Sequence, residues 1–252
     1  MKRLRHFLSY VLIAVFLAVM GVAVHDVFFA DEGSWLTDLL YRPASQGRHK
    51  GGPCDGIDVS HHQGYIDWNA VARDTMVQFV YLKATEGSTH VDRYYARNMA
   101  GARRAGLPVG SYHFLTSKSN IVSQFLNFYE HARPEEQDLL PVIDVEWSGT
   151  GDWSVSQLQD SLSLFAHLTE EYYHCKPMIY ADMKFYEQYL KGRFDDYPLF
   201  IAHYKKSQPQ LNEAGRYYLW QRDDNGRVPG IGKDVDFDVF TTGSSLSDIL
   251  LK

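Results

Sequence analysis

Cysteine is scarce in this chain of 252 residues, which contains only Cys54 and Cys175. The chain can therefore form at most one internal disulfide. An even number of cysteines in an exported protein favours such a bond. In the barrel predicted below, however, the two residues precede strands on opposite sides, farther apart than the Cα separation of about 7 Å that a disulfide tolerates. We expect both thiols to remain free.

A surplus of basic residues is also absent. The formal net charge is −6, and the region after residue 50 holds 27 Asp and Glu against 19 Lys and Arg. Proteins that bind nucleic acid need a basic surface to neutralise phosphates. The charge balance therefore argues against nucleic acid as a partner. Internal repeats and low-complexity segments are absent too.

The sequence also lacks histidines at the spacing that metal ligands usually have. A metal-dependent hydrolase would have to combine His61, His62, His113 and His203 with Asp58. Zinc ligands must converge on one point, and adjacent histidines in regular structure point in different directions. No two histidines lie four residues apart. The sequence therefore predicts neither a metal site nor a cofactor.

The first residues are basic and then strongly apolar. Three basic side chains among the first five residues precede an apolar run at 7–24, which one serine and one glycine interrupt. This run exceeds the roughly 7–15 residues of a cleavable signal core and approaches the ~20 that a membrane-spanning helix needs. We expect residues 1–30 to form a signal anchor, or a signal peptide cleaved after Ala30. The rest of the chain would then lie outside the cytoplasm.

Two further segments complete the predicted domain organisation. Residues 31–53 are rich in Gly, Pro and Ser and indicate a linker. Residues 54–252 are long enough for one sizeable core and indicate a single catalytic domain.

Within this domain, strand-like and helix-like patterns alternate. The first five predicted strands are each followed by apolar residues at helical spacing, whereas glycine, proline and polar residues join the last three. The predicted strands cover residues 56–60, 79–84, 108–114, 139–147, 177–181, 199–204, 217–221 and 235–240. Five βα units followed by three strands predict an α/β fold, a TIM-type barrel that has lost its last helices.

Two carboxylates lie two residues apart in the predicted fourth strand. Because side chains alternate along a strand, Asp144 and Glu146 face one side, and Ile143 and Val145 the other. Their side chains start roughly 6.5–7 Å apart, a separation that glycosidases use. The apolar flanks, including Trp147, predict a buried strand. Acidic residues are usually just solvated, but carboxylates in a buried strand are costly unless they line a functional cavity.

Other polar residues fall at the ends of predicted strands, where the catalytic face of such a barrel lies. They are Asp58, His113, Tyr180, His203, Gln221 and Asp236. We expect these side chains to converge with the two carboxylates.

Several short motifs resemble glycoside hydrolase family 25, the lysozymes typified by the Chalaropsis and Streptomyces muramidases. They are GIDVS at 56–60, QG at 63–64, IDW at 66–68, KATEG at 83–87, GSYHF at 110–114, DVE at 144–146, IY at 179–180, WQ at 220–221 and VD at 235–236. Each alone is weak, but their common order over residues 54–240 is specific. The resemblance implies a (β/α)5(β)3 barrel that cleaves the β-1,4 bond between N-acetylmuramic acid and N-acetylglucosamine in peptidoglycan, as a monomer.

The resemblance also implies roles for individual residues. Glu146 corresponds to the general acid that protonates the leaving oxygen. Asp144 corresponds to the residue that orients the substrate's 2-acetamido group, which attacks the anomeric carbon with retention; in an alternative scheme, Asp144 or Asp58 is the nucleophile or base. The positions that correspond to substrate-binding residues are Asp236, Asp224, Tyr112, Tyr180, Trp220 and Gln221. Lys83 and Glu86 are expected to form a supporting ion pair.

Two features depart from the family pattern. Adjacent Asp223 and Asp224 leave open which acid corresponds to the family's, and we take Asp224 from its spacing to Gly226. The second departure lies in the last strand. The family often has asparagine two residues after the last-strand aspartate, whereas this chain has Asp238. We expect Asp238 to face the same side as Asp236 and to add negative charge near the cleft. An inactive barrel that only binds wall glycan remains the alternative function.

Overall fold

The structure, a computed structural model, describes residues 49–211 and 217–252. The predicted signal anchor and most of the predicted linker lie outside these residues. The helices that the structure describes include none long and apolar enough to cross a membrane. The last five linker residues are described and contact the barrel: Lys50 pairs with Arg227, and the His49 ring stacks on Phe237 at 4.9 Å.

Nine strands lie within the described residues. They are β1 (Gly56–Val59), β2 (Phe79–Glu86), β3 (His90–Val91), β4 (Val109–Phe114), β5 (Val142–Asp144), β6 (Met178–Asp182), β7 (Leu199–Ala202), β8 (Tyr217–Gly226) and β9 (Val235–Phe240).

Eight of these strands close into a barrel. Neighbours run parallel from β1 through β2, β4, β5, β6 and β7 to β8. Strand β9 is antiparallel to both β8 and β1 and closes the barrel between them. The short β3 pairs only with the end of β2. The predicted α/β barrel is therefore confirmed.

Helices connect the first strands, and their caps follow the sequence. They are α1 (Trp68–Val71), α2 (Tyr95–Arg104), α3 (Ile121–His131), α4 (Trp147–Thr150), α5 (Val155–Tyr173), α6 (Met183–Phe185, continued by a π-helical turn over Tyr186–Leu190) and α7 (Leu246–Ile249). Asp67 caps α1 and Ser154 caps α5, because each side chain accepts a backbone N–H of the first turn, as these residue types commonly do where a helix begins. The described residues between β7 and β8 contain no helix.

The apolar core has two layers. Alternate strand side chains point outward, where Ile57, Ile143 and Val145 pack with the helices. The side chains that alternate with these point inward and fill the barrel interior, where Tyr81 and Phe200 are buried. Apolar side chains therefore fill the lower part of the barrel interior. The polar side chains above them form the candidate active site.

His113 belongs to the outer layer, which corrects the expectation that it joins the site. Its ring is fully buried, with Nδ1 2.8 Å from Thr85 Oγ1 and Nε2 3.2 Å from Gln124 Oε1, and it stacks on Phe165 at 4.7 Å. Burial lowers the pKa of His113 to about 3. Because Tyr112 points into the barrel, its neighbour His113 must point outward, and it supports the helix layer.

Phe165 provides a test of this layer. It is fully buried on α5 and packs against His113, Phe125 and Phe128. Phe165→Ala is expected to lower the free energy of unfolding by about 3–5 kcal/mol, because it removes apolar contacts and leaves a cavity. Urea denaturation measures the loss. The adjacent Leu164, which is 42% exposed, is the control, and Leu164→Ala should cost less than about 1 kcal/mol. Equal losses would contradict this packing.

Both cysteines are free thiols, as expected. Cys54 is buried and its Sγ donates to the carbonyl of Gly56, whereas Cys175 is half-buried. Burial raises the pKa of Cys175 to about 11, so it is a poor nucleophile at neutral pH.

Candidate active site

An open cleft of about 210 Å³ lies at the carboxyl ends of the parallel strands. This end is the catalytic face of TIM-type barrels. Every barrel strand, or the segment directly after it, contributes to the cleft. The lining residues are Asp58, Val59, Ser60, His62, Gln63, Tyr81, Tyr112, Val142, Asp144, Glu146, Tyr180, Phe200, Tyr204, Gln221 and Asp236.

The chain after β5 carries Asp144 and Glu146 into this cleft. The strand ends at Asp144, but Glu146 keeps an extended backbone, with φ −124° and ψ 159°, before α4 begins. The alternation therefore continues, and the predicted common face of the two carboxylates is confirmed, since both line the cleft. Ile143 and Val145 are fully buried on the other side, also as predicted.

Trp147 corrects the prediction of a strand buried throughout 139–147. It is the first residue of α4 and is 59% exposed. The hydroxyl of Thr150 donates to the carbonyl of Glu146 at 2.7 Å and holds the chain in the helical turn. Because the turn ends the strand alternation, the indole lies at the surface, where it stacks on Tyr189 at 5.5 Å.

Asp144 is the more enclosed of the two carboxylates. It is 8% exposed, and its Oδ1 is buried without a hydrogen-bond partner among the described residues. Burial, followed by the charge of Glu146, raises its pKa well above the usual range. Glu146 is half-buried, and its Oε2 accepts a hydrogen bond from Ser148 Oγ at 3.0 Å. Burial and the neighbouring carboxylate therefore both oppose ionisation of Asp144 when no ligand is bound.

Gln221 links the third carboxylate to two tyrosines. Its Nε2 donates to Asp58 Oδ2 at 2.6 Å, and its Oε1 accepts from the hydroxyls of Tyr180 at 2.8 Å and Tyr204 at 2.6 Å. The two hydroxyls fix the amide orientation, so that its N–H groups point at Asp58. Burial raises the pKa of Asp58 to about 6, while the Gln221 hydrogen bond acts in the opposite direction.

Asp236 on β9 lies directly opposite Asp58 on the neighbouring strand β1, because the two residues pair in the antiparallel register. Burial, then the charges of Asp58 and Asp224, raise the pKa of Asp236 to about 9. The half-buried Tyr112 lies near the same acids, and burial followed by their charges raises the pKa of its hydroxyl well above the usual range. The cleft is therefore a crowded, mostly acidic site.

Two predicted substrate-binding residues are not among those that line the cleft. Trp220 is buried on the other face of β8, and its indole N–H donates to the carbonyl of His203 at 2.7 Å. Because Gln221 points inward, its neighbour Trp220 points outward. Asp224 is exposed, and its side chain bonds Asn225, although its charge still acts on Asp236.

His203, expected at the site, is also outside the lining. Among residues 49–211 and 217–252, no three His, Cys, Asp or Glu side chains are arranged to hold a metal ion. The predicted ion pair between Lys83 Nζ and Glu86 Oε2 is present at 2.7 Å. Both residues lie outside the cleft lining, in agreement with a supporting role.

Tyr204 is the main cleft residue that the sequence did not indicate. It follows β7 and lies two and four residues after Ala202 and Phe200. Phe200 faces the cleft floor, so continued alternation brings Tyr204 to the cleft as well. The sequence held no signal for this, because only the structure shows that Phe200, and therefore Tyr204 rather than His203, lies on the inward face.

Comparisons with known proteins agree with this architecture. Residues 57–231 match the family described as Glycosyl hydrolases family 25. The uncharacterized protein YegX of Escherichia coli strain K12 is 38% identical over 189 residues, which are 73% of this chain and 68% of that protein. The autolytic lysozyme of Clostridium acetobutylicum is 35% identical over 191 residues, 75% of this chain and 56% of that protein.

A solved structure shows the same similarity. The bacterial lysozyme from Streptomyces coelicolor superposes with a TM-score of 0.69 and 28% sequence identity, over 79% of this chain and 96% of that one. The similarity therefore spans the described barrel.

Proposed function

Because this chain belongs to glycosyl hydrolase family 25, and is therefore a glycoside hydrolase, we propose that it is a lysozyme-type muramidase. Its substrate is the glycan strand of peptidoglycan, and it cleaves the β-1,4 bond between N-acetylmuramic acid and N-acetylglucosamine. The observation that carries the proposal is the meeting of Asp58, Asp144 and Glu146 in one open cleft at the catalytic end of the barrel.

Glu146 is the general acid in this mechanism. A glycosidic oxygen leaves poorly as an alkoxide, so a positioned acid must protonate it. Glu146 is half-buried in the cleft lining, where it is accessible both to the substrate and to water. It can therefore regain a proton after each turnover.

Asp144 orients the substrate's acetamido group. Asp144 lines the cleft, where its carboxylate accepts the acetamido N–H of the bound sugar. The acetamido oxygen attacks the anomeric carbon while the leaving oxygen departs with the proton from Glu146. Water, which returns a proton to Glu146, then opens the resulting oxazolinium ring, so that two inversions give net retention. This route is a known exception to the scheme with two carboxylates. If Asp144 or Asp58 is instead the nucleophile or base, glycan with N-deacetylated muramic acid should remain a substrate. The acetamido route requires that this glycan resist cleavage.

Asp58 acts as an anion that stabilises the positive charge developing on the sugar ring. Leucine at position 221 would remove the amide that donates to Asp58 and leave the hydroxyls of Tyr180 and Tyr204 without their acceptor. Gln221→Leu is expected to lower kcat/KM by about 10–100-fold, which corresponds to the free energy lost when hydrogen bonds to a charged group are removed. Because Gln221 holds the pKa of Asp58 down, the acid limb of the pH profile should move to higher pH.

A pH profile of kcat/KM measures both effects. Gln78→Leu is the control, because its amide donates to the half-buried carboxyl of Asp55, which is not among the residues that line the cleft. An unshifted acid limb in the Gln221 variant would contradict the role of Asp58.

Aromatic and polar side chains of the cleft bind the sugars. Tyr112 and Tyr180 offer ring faces for sugar packing, and Gln221 and Asp236 offer hydrogen-bonding groups for hydroxyls. Asp224 acts on the cleft through its charge on Asp236. Trp220 acts indirectly, since it packs behind the strand that carries Gln221.

Mass spectrometry of the fragments released from purified peptidoglycan tests the proposed function. A muramidase releases fragments with N-acetylmuramic acid at the reducing end, whereas a glucosaminidase releases N-acetylglucosamine ends. Binding to peptidoglycan without any release would favour the alternative, an inactive glycan-binding barrel. The presence of all three acids in one cleft favours catalysis.

The site of action follows from the predicted organisation of the chain. We propose that residues 1–30 export the protein and that residues 7–24 anchor it in the cytoplasmic membrane, with 31–53 as linker and 54–252 as the catalytic domain. The barrel then acts as a monomer on the cell's own wall from outside the cytoplasm. Cell fractionation tests this, and recovery of the protein in the medium alone would favour cleavage of the segment.

A further inference from the structure

Asp238 lies directly beneath the cleft, at a position where the family often has asparagine. Along β9, the side chains of Asp236, Asp238 and Phe240 share the inward face. Asp236 lines the cleft above, and Phe240 packs against the apolar interior below. Asp238 is therefore a carboxyl group between the polar and the apolar layer, and it is fully buried.

The surroundings of Asp238 are unsuited to a negative charge. Neither carboxyl oxygen has a hydrogen-bond partner that could donate to it within the described chain. The titratable groups facing it are Asp58 from β1, Asp236 from its own strand, Tyr81 from β2, and Cys54 before β1. None of these is a cation. A buried carboxylate without donors or a counter-charge is strongly disfavoured, so the group should be neutral.

A neutral carboxylic acid can do what a carboxylate cannot, because it donates a hydrogen bond. Asp58 is close enough to hydrogen-bond Asp238, and its Oδ2 already accepts from Gln221 at 2.6 Å. One of two adjacent carboxyl groups must hold a proton for them to bond. Burial and the charges of Asp58 and Asp236 raise the pKa of Asp238 well above its usual range, so the proton belongs to Asp238.

We propose that Asp238 is a positioning residue that stays protonated at neutral pH and donates a hydrogen bond to Asp58 from beneath the cleft. A protonated aspartate thereby replaces the amide of the more usual asparagine. Together with Gln221, it holds Asp58 as an oriented anion facing the substrate. The role of Asp58 rests on the proposed function, whereas the protonation of Asp238 does not.

The pH dependence of stability tests the protonation without any activity measurement. An acid whose folded pKa is raised stabilises the protein at low pH and loses this contribution as pH rises toward that pKa, since the unfolded chain releases its proton first. Asp238→Asn cannot titrate. The melting temperature of Asp238→Asn minus that of the wild type should therefore increase by about 3–5 °C per pH unit between about pH 5 and 7.

The exposed Asp196 gives the matched control for the full-length chain. Asp196→Asn should show a difference from wild type that does not change with pH over this range. A constant difference for Asp238→Asn as well would overturn the proposal, because Asp238 would then be ionised in the folded protein. If Asp238→Asn does not fold, the ¹³Cγ NMR signal of Asp238 in the wild type decides. It should not titrate over this range, and titration there would refute the protonated state.

Activity tests the positioning role. Asp238→Leu removes the donor, so kcat/KM should fall by about 10–100-fold. Asp238→Asn restores a donor and should recover most of this loss. Equal losses in both variants would exclude hydrogen-bond donation. If the wild type cleaves no glycan, the proposed function fails, but the stability and NMR results still decide the protonation of Asp238.

Discussion

Replacing Glu146 with glutamine is expected to reduce the rate of peptidoglycan cleavage by about 10²–10⁴-fold. Glutamine keeps the size of the side chain and its hydrogen bond to Ser148, but it has no proton to give to the leaving oxygen. The bond must then break with the leaving group as an alkoxide or with water as the acid. The loss should appear in kcat, because protonation occurs in the transition state, with little change in KM.

The rate of soluble muropeptide release, measured with equal amounts of folded protein, checks this expectation. Glu171→Gln on the exposed side of α5 is the matched control and should retain wild-type activity. The Glu146 variant should still sediment with insoluble peptidoglycan, since binding uses other cleft residues. Near-normal turnover in this variant would remove Glu146 from the mechanism.

The second large effect concerns Asp144. Because Asp144 and Glu146 repel each other as anions in a confined site, the pair favours holding one proton between them. The proposed mechanism needs that proton on Glu146 and the negative charge on Asp144, next to the positive charge that forms on the ring. Asparagine cannot carry the charge. We expect Asp144→Asn to lower kcat by about 10²–10³-fold, in the range for loss of one preorganised electrostatic contact.

Steady-state kinetics on soluble glycan fragments measures this loss, with Asp196→Asn as the control. Double substitution of Asp144 and Glu146 adds a second criterion. Residues that act as a unit give losses that do not multiply, so the double variant should be little worse than Glu146→Gln alone. Fully multiplicative losses would indicate that the two acids act independently.

The sequence was sufficient to predict the order of the elements. Helical spacing on α5, the caps Asp67 and Ser154, and five βα units followed by three strands all appear in the structure. These features depend on interactions between residues near each other in the chain, such as a side chain that accepts an N–H three residues ahead. The common face of Asp144 and Glu146 was predictable for the same reason, because alternation is local.

Which face of a strand points into the barrel was not predictable from the sequence. In strands covered by helices both faces are apolar, so the pattern of β4 does not distinguish Tyr112 from His113, nor that of β8 Trp220 from Gln221. Only the closure of the barrel decides that Tyr112 and Gln221 line the cleft, while His113 and Trp220 pack behind it.

By itself, the sequence determined the barrel, its family and which acids are the candidates for cleaving a glycosidic bond, because local periodicity and motif order encode them. The tertiary structure alone decided the surroundings of each acid. It leaves Asp238 buried without a donor, gives Asp58 an amide fixed by two tyrosines, and turns Trp147 out to solvent. These properties depend on groups far apart in the chain that meet only when the barrel closes, and they set the charge that each carboxyl carries.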